Sequence, residues 1–177
     1  MTVHVPRIPT HDLTPGVSAG GKLESAIAEF AAAAVRADHV DPLTTELVRL
    51  RCAQYHDCRL CGSFRVQAAL DAGFNETMQR KIGNYENSDF SETTKAALRL
   101  ADSMMVNPGQ IDSALRDRVR EHLSDAQIVE ICVDVMKWSQ QKSLVATRIE
   151  APASEEHLTQ LIFNDGGHPV VGVPLPD

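Results

Sequence analysis

Two cysteines three residues apart, Cys58 and Cys61, carry the most obvious chemistry in this 177-residue chain. On a helix, residues at that spacing lie one above the other, so both thiols can meet the same substrate. A cysteine in a first helical turn also faces free backbone N–H groups and the positive end of the helix dipole, which favour its thiolate. A thiolate can attack a peroxide oxygen to give a sulfenic acid, which the second thiol condenses to a disulfide. It can equally attack a partner's disulfide. Either task needs a group that manages protons. Glu46 is one candidate, because it shares a helical face with Leu50 and Ala53 and so points partly inward. A carboxylate there needs a partner or a raised pKa, and both mark functional sites. The plainer alternative is a surface pair with Arg49. His56 is a second candidate, as a base beside Cys58, unless it only ends a helix ahead of Asp57, which would then cap the cysteine helix. Arg59 and Arg65 add positive charge. Arg65 lies four residues past Cys61 and, on a continuous helix, on its face.

Other readings of these residues are weaker. A metal site could use Cys58, Cys61 and either Cys52 or His56, but structural zinc usually takes a second paired set of ligands, and none is visible. No metal and no bound cofactor are expected. Cys52 and Cys132 fall in apolar helical patterns and read as buried, inert thiols. Trp138, the only tryptophan, reads as a core or subunit-interface anchor.

The bulk properties narrow the setting. A hydrophobic share of 43% suits a folded globular chain. The net charge of −7 repels nucleic-acid backbones and anionic membranes, so neither is an expected partner. No run approaches the roughly 20 apolar residues that span a bilayer, and the first residues lack the form of a secretory signal. A cytoplasmic location is therefore expected. In that reducing compartment a close cysteine pair reads as redox chemistry, not as a structural disulfide.

The elements that must position the cysteines read as helices throughout. Residues 1–22 form a proline-bearing extended arm, 23–150 a helical domain and 151–177 a tail. Leu23, Ile27, Phe30, Ala31, Ala34 and Val35 share the face of a first helix. Asp41 and Pro42 start a second, as N-cap and first helical residue. A third should run from Cys58 to about Ala72 and stop at Gly73. A short turn follows at 75–81, then a polar loop over 83–90. A helix over 91–106 turns Ala97, Leu98, Ala101, Met104 and Met105 inward. One over 111–123 exposes its charges. Ser124 to Gln127 has the form of a capping box and opens a last long helix to about Ile149, with Ile128, Ile131, Cys132, Val135 and Met136 inward. One helical turn is expected within 155–162, and the rest of the tail is extended. Strand signals are nearly absent, so the class is all-α, a single domain of about six helices with extended arms.

The run from Glu46 through Cys58 and Cys61 to Arg65 resembles the core of the alkylhydroperoxidase D-like group of the carboxymuconolactone decarboxylase family. That core carries a glutamate twelve residues before a Cys-x-x-Cys and a histidine four residues after it. Glu46, Cys58 and Cys61 match in type and spacing, and the resemblance extends over about residues 23–149. It implies an all-helical fold, a peroxidase or thiol–disulfide oxidoreductase, and a peroxide or disulfide substrate. It also implies an external dithiol reductant, thioredoxin-like or dihydrolipoyl, and a homo-oligomer built on trimers. The histidine position holds Arg65. In the family that histidine relays protons with the glutamate, which an always-charged arginine cannot do. Arg65 could still stabilise a thiolate or pair with Glu46. The family's lactone decarboxylases typically lack the cysteine pair, which makes decarboxylation the lesser branch.

Overall fold

A computed structural model describes residues 7–8, 21–147 and 151–176. Most of the N-terminal arm therefore lies outside the described residues. Its two described members lie against their own chain: Ile8 N–H donates to the Ala146 carbonyl at 2.7 Å, and Arg7 pairs with Asp57.

Three helices build the core. α2 (Pro42–His56) starts as the sequence requires, with Asp41 accepting the Thr44 N–H and Pro42 at the first position. α6 (Glu92–Val106) is capped by Ser91. α8 (Asp125–Ser139) opens with the expected capping box of Ser124 and Gln127. Leu47, Leu50 and Cys52 from α2 pack against Ala97, Leu98 and Ala101 from α6 and Ile131 and Val135 from α8. Each large aliphatic side chain buried there contributes roughly 1.5–3 kcal/mol. α7 (Ser113–His122) covers this core through Val119 and turns its charges outward. α1 (Lys22–Ala34) buries Ala32 and Ala34 but leaves Leu23 and Phe30 exposed, so only part of its apolar face is covered within one chain.

The protein is predominantly helical, yet five local expectations give way. The helix expected over 58–72 breaks into α3 (Arg59–Gly62), the strand β1 (Phe64–Val66) and α4 (Gln67–Asp71). The physical reason is a buried competitor. The Arg49 guanidinium takes the carbonyls of Cys61 at 2.7 Å and Phe64 at 2.6 Å, which a continuous helix would give to its own N–H groups. Asp57 is not the cap of the cysteine helix. It ends α2 in the left-handed region at φ 55°, and Cys58 itself is the N-cap of α3.

The helical turn expected within 155–162 is instead β2 (Thr159–Phe163), which joins β3 (Pro169–Pro174) in an antiparallel hairpin. Sheet order is β1-β2-β3, with β1 and β2 parallel. An isolated hairpin is marginal in water, and this one is held at both ends. Ser63 accepts the Thr159 N–H on its carbonyl and the Ala153 N–H on its hydroxyl. At the turn, Gly167 has φ 79°, and a Cβ there would stand 2.0 Å from the Ala32 carbonyl oxygen of α1. Only glycine permits that approach. The long helix expected to reach Ile149 stops at Ser139, and α9 (Gln141–Thr147) follows after Gln140. The expected short turn is α5 (Glu76–Lys81), capped by Asn75, and the stretch read as a loop after it holds a 3-10 helix, Ile82–Asn87.

Candidate functional site

The two thiols meet at the break between α2 and α3. Their sulfurs lie 2.6 Å apart, and the Cys61 N–H points at the Cys58 sulfur at 3.4 Å. Cys58 is buried, whereas Cys61 is half-exposed. Contact with the Cys58 sulfur, then burial, then charge on Cys58 push the Cys61 thiol strongly up, while Arg49 pulls the other way. The pair therefore ionises as a unit, and once one thiolate forms the remaining proton is held between the sulfurs. Cys52 is fully buried in the core, and burial pushes its thiol up to about 12. Cys132 is half-buried, with its thiol raised by burial.

Behind the dithiol lies a buried ion pair. Glu46 and Arg49 are only 1% and 2% exposed. Arg49 Nε and Nη2 donate to the two carboxylate oxygens of Glu46, each at 2.7 Å. The Val66 N–H donates weakly to Glu46 at 3.3 Å. Burial works against the Arg49 charge, but Glu46 and then the two thiols hold its pKa above the ordinary arginine value. The pair exists as the plainer reading had it, but in the interior and not at the surface. Glu46 points inward as expected, with both oxygens committed to Arg49.

Arg65 lies elsewhere than its helical spacing predicts. It belongs to β1, is 3% exposed, and binds Glu76 through Nε and Nη2 at 2.7 and 2.8 Å. Its Nη1 donates to the carbonyls of Gly62 and Phe64. It does not pair with Glu46. The guanidinium acting on both thiols is that of Arg49. His56 is buried at the end of α2, where its Nε2 lies 3.3 Å from the Ser139 hydroxyl. Burial first and then Lys142 lower its pKa. The structure thus brings together Glu46, Cys58 and Cys61, substitutes Arg49 for Arg65, and ties His56 to α8.

Cys61 opens into a cleft of about 740 Å³, walled by Leu60, Phe64, Trp138, Leu161 and Phe163. Trp138 is buried there, as its reading as an anchor required. A second cleft of about 520 Å³ adjoins it, and Glu46 and Asp134 line that one. Arg49, Lys137, Trp138, Leu161 and Phe163 line both. Lys137 was not foreseen. It is 3% exposed, and its amine finds no hydrogen-bond partner among the described residues. Nζ sits 3.5 Å from the Trp138 ring centre and 4.9 Å from that of Phe163. A signal for it was available in the sequence. Glu130, Asp134, Lys137 and Gln141 recur at steps of four, three and four, and all four are buried. The first three form a polar stripe beside the apolar stripe of α8, and Gln141 continues it at the start of α9.

No helix among the described residues is long and apolar enough to cross a membrane. None of their histidine, cysteine, aspartate and glutamate side chains cluster as a metal site would need.

Comparison with known proteins agrees with this architecture. The carboxymuconolactone decarboxylase family model matches residues 21–103, a stretch that includes Glu46, Arg49 and both cysteines. It stops short of Lys137, Trp138 and the hairpin. Uncharacterized protein Rv2313c of Mycobacterium tuberculosis (strain ATCC 25618 / H37Rv) is 35% identical over 144 residues, covering 81% of this chain and 51% of that protein. The chain thus spans about half the length of that relative. Among solved structures, the debrominase Bmp8, one variant of which was solved in complex with 2,3,4-tribromopyrrole, superposes with a TM-score of 0.60. It is 17% identical over 74% of this chain and 72% of that one. Protein ATU0492 from Agrobacterium tumefaciens, for which an AhpD-type antioxidant defence role is suggested, superposes with a TM-score of 0.60 at 18% identity. The match covers 77% of this chain and 92% of that one. At such identities the structural likeness is one of fold. Over residues 21–103 the chain is similar to the carboxymuconolactone decarboxylase family, and the arrangement of its helices is the fold of these solved structures.

Proposed function

We propose that this protein is a dithiol oxidoreductase that reduces organic hydroperoxides, with thiol–disulfide exchange returning it to the reduced state. The observation that carries this reading is the placement of the two sulfurs. They lie 2.6 Å apart, one buried at a helix N-cap and the other opening into a largely apolar cleft. Cys61 is the sulfur a substrate can reach, and Cys58 is the one poised to close the disulfide. Arg49 supplies the fixed positive charge that favours a thiolate in the pair, and Glu46 holds Arg49 in place. The similarity to the carboxymuconolactone decarboxylase family over residues 21–103 supports an enzymatic role of some kind. The aromatic and aliphatic walls of the cleft favour a peroxide with an apolar body over hydrogen peroxide. Electrons come from an external dithiol, thioredoxin-like or dihydrolipoyl. A homo-oligomer remains part of the proposal, with the exposed Leu23 and Phe30 of α1 and the exposed valines of β3 as its apolar surfaces.

The test is consumption of cumene hydroperoxide with dithiol donors by the wild type, Cys58→Ser and Cys61→Ser. Turnover that either serine variant abolishes supports the proposal. Serine variants that keep the wild-type rate would refute it. Oxidation of both thiols without turnover under any donor would recast the pair as a redox switch.

A further inference from the structure

The geometry points to Lys137 as the proton donor for this dithiol, delivering a proton to the oxygen that leaves when Cys61 attacks a hydroperoxide. This inference rests on the oxidoreductase reading above and supplies the proton source that reading lacks.

Three observations carry it. First, the groups that sequence spacing offered are engaged elsewhere. Arg65 binds Glu76, both Glu46 oxygens bind Arg49, and His56 faces Ser139. Second, Lys137 lines the same cleft as Cys61, and the residue is 3% exposed, its buried amine having no hydrogen-bond partner among the described residues. A buried amine without a partner costs stability that a methionine in its place would not. Its placement is therefore better explained by chemistry than by packing. Third, the amine lies against the Trp138 and Phe163 rings, which lets it carry charge without a carboxylate in contact. Burial lowers its pKa to about 7, with Asp134 opposing and Arg49 reinforcing the shift. That value suits an acid working near neutral pH.

The cycle balances. It starts with one proton shared between the two sulfurs and Lys137 as ammonium, and that proton rests on Cys58 as Cys61 attacks. The thiolate sulfur bonds to the terminal peroxide oxygen and the O–O bond breaks. Sulfur is oxidised to sulfenic acid, and the peroxide is reduced to an alkoxide. The alkoxide takes a proton from Lys137 and leaves as alcohol, so Lys137 becomes a neutral amine. The Cys58 thiol then condenses with the sulfenic acid, giving the disulfide and water. An external dithiol reduces the disulfide and is itself oxidised to a disulfide. One proton of the regenerated dithiol passes to the Lys137 amine, which restores the starting state.

Other charged groups surround the amine and bear on its pH dependence. Asp134 on α8 and Arg49 and Glu46 on α2 act on it directly. Glu24, Lys142 and His168 line the Cys61 cleft, and Arg36, Asp38, Asp41 and Asp71 line the neighbouring one. His168 is the member of this set whose titration could imitate that of Lys137, so it needs its own control.

The experiment measures the pH profile of cumene hydroperoxide reduction and, separately, of iodoacetamide alkylation of Cys61. It compares the wild type with Lys137→Met, Lys137→Arg and His168→Ala. Lys137→Met is expected to lower kcat by about 10²-fold or more with little change in KM, to erase the inflection near pH 7, and to shift the alkylation profile to higher pH. Lys137→Arg keeps the charge but holds its proton too tightly to give it up, so it should stay as slow as Lys137→Met. His168→Ala should retain the inflection. Wild-type rates in Lys137→Met, full rescue by Lys137→Arg, or loss of the inflection in His168→Ala would each overturn the inference. Absence of hydroperoxide turnover in the wild type would instead remove the oxidoreductase reading. The alkylation profile would then still show whether Lys137 exchanges a proton with Cys61.

Discussion

Replacing Glu46 with alanine tests how the site is held together. The substitution removes two charge-assisted hydrogen bonds of 2.7 Å and leaves the 2%-exposed Arg49 guanidinium with only its backbone carbonyl partners. Each such bond is worth roughly 1.5–3 kcal/mol, and breaking a buried pair from one side costs about 3–5 kcal/mol, because the remaining charge is uncompensated. For a chain of this length that lowers Tm by about 6–20 °C. The surface pair of Arg116 and Asp117, with side chains 61% and 68% exposed, is the control. Asp117→Ala should change stability by less than about 1 kcal/mol. Urea unfolding of wild type, Glu46→Met, Arg49→Met and the double variant Glu46→Met/Arg49→Met completes the cycle, with Glu46→Ala beside it. The double variant should recover much of the loss, since apolar replacement of both partners removes the stranded charge. A loss under about 1 kcal/mol in Glu46→Ala, or strict additivity in the double variant, would refute the idea that this pair acts as a unit.

Arg65→Ala should leave the rate of Cys61 alkylation unchanged while costing about 1–3 kcal/mol of stability from its lost hydrogen bonds, as alkylation kinetics and urea unfolding would show. A slowed alkylation would return Arg65 to the thiols. Folded Lys137 titrates near pH 7 against an ordinary 10.5, so between these values the unfolded chain binds the extra proton and stability rises with pH. Asp134, raised by burial to about 7 from 3.8, binds more protons when folded, so stability falls with pH across that lower window. Lys137→Met should abolish the upper rise and stabilise the protein at pH 7 by on the order of 2–4 kcal/mol. An unchanged stability–pH curve would show that the amine is hydrated. Gly167→Ala should cost on the order of 2 kcal/mol or more, because its Cβ would meet α1 backbone at 2.0 Å. It should also reduce turnover by shifting the cleft wall. Wild-type melting and turnover would show that the hairpin does not depend on this contact.

Local signals in the sequence were enough where they act within one element. Asp41-Pro42 and the Ser124–Gln127 box started their helices as expected, and the register of Glu46 with Leu50 and Ala53 gave its inward direction. The cysteine pair itself was legible from spacing alone. What failed were inferences that carried helical register across a tertiary competitor. Arg65 is on the face of Cys61 only if 58–72 stays helical, and Arg49 withdraws the carbonyls such a helix needs. The β2 strand was hidden because its pairing partner lies almost a hundred residues earlier, where three short residues, Phe64 to Val66, give no period of their own. On α8, Met136 was expected inside but is 59% exposed, while Lys137 is buried. Hydropathy ranks methionine inward, but the two clefts rotate the polar stripe toward the interior instead.

If Cys58 and Cys61 together pass two electrons to a hydroperoxide, one stoichiometric titration shows it. Fully reduced protein receives a single equivalent of cumene hydroperoxide without any donor. The alcohol formed is quantified, and the thiols lost are mapped by mass spectrometry. One alcohol is expected for every two thiols lost, with both losses in the peptide that holds Cys58 and Cys61, as an intramolecular disulfide. Peroxide left intact, or thiol loss mapping to Cys52 or Cys132, would contradict it.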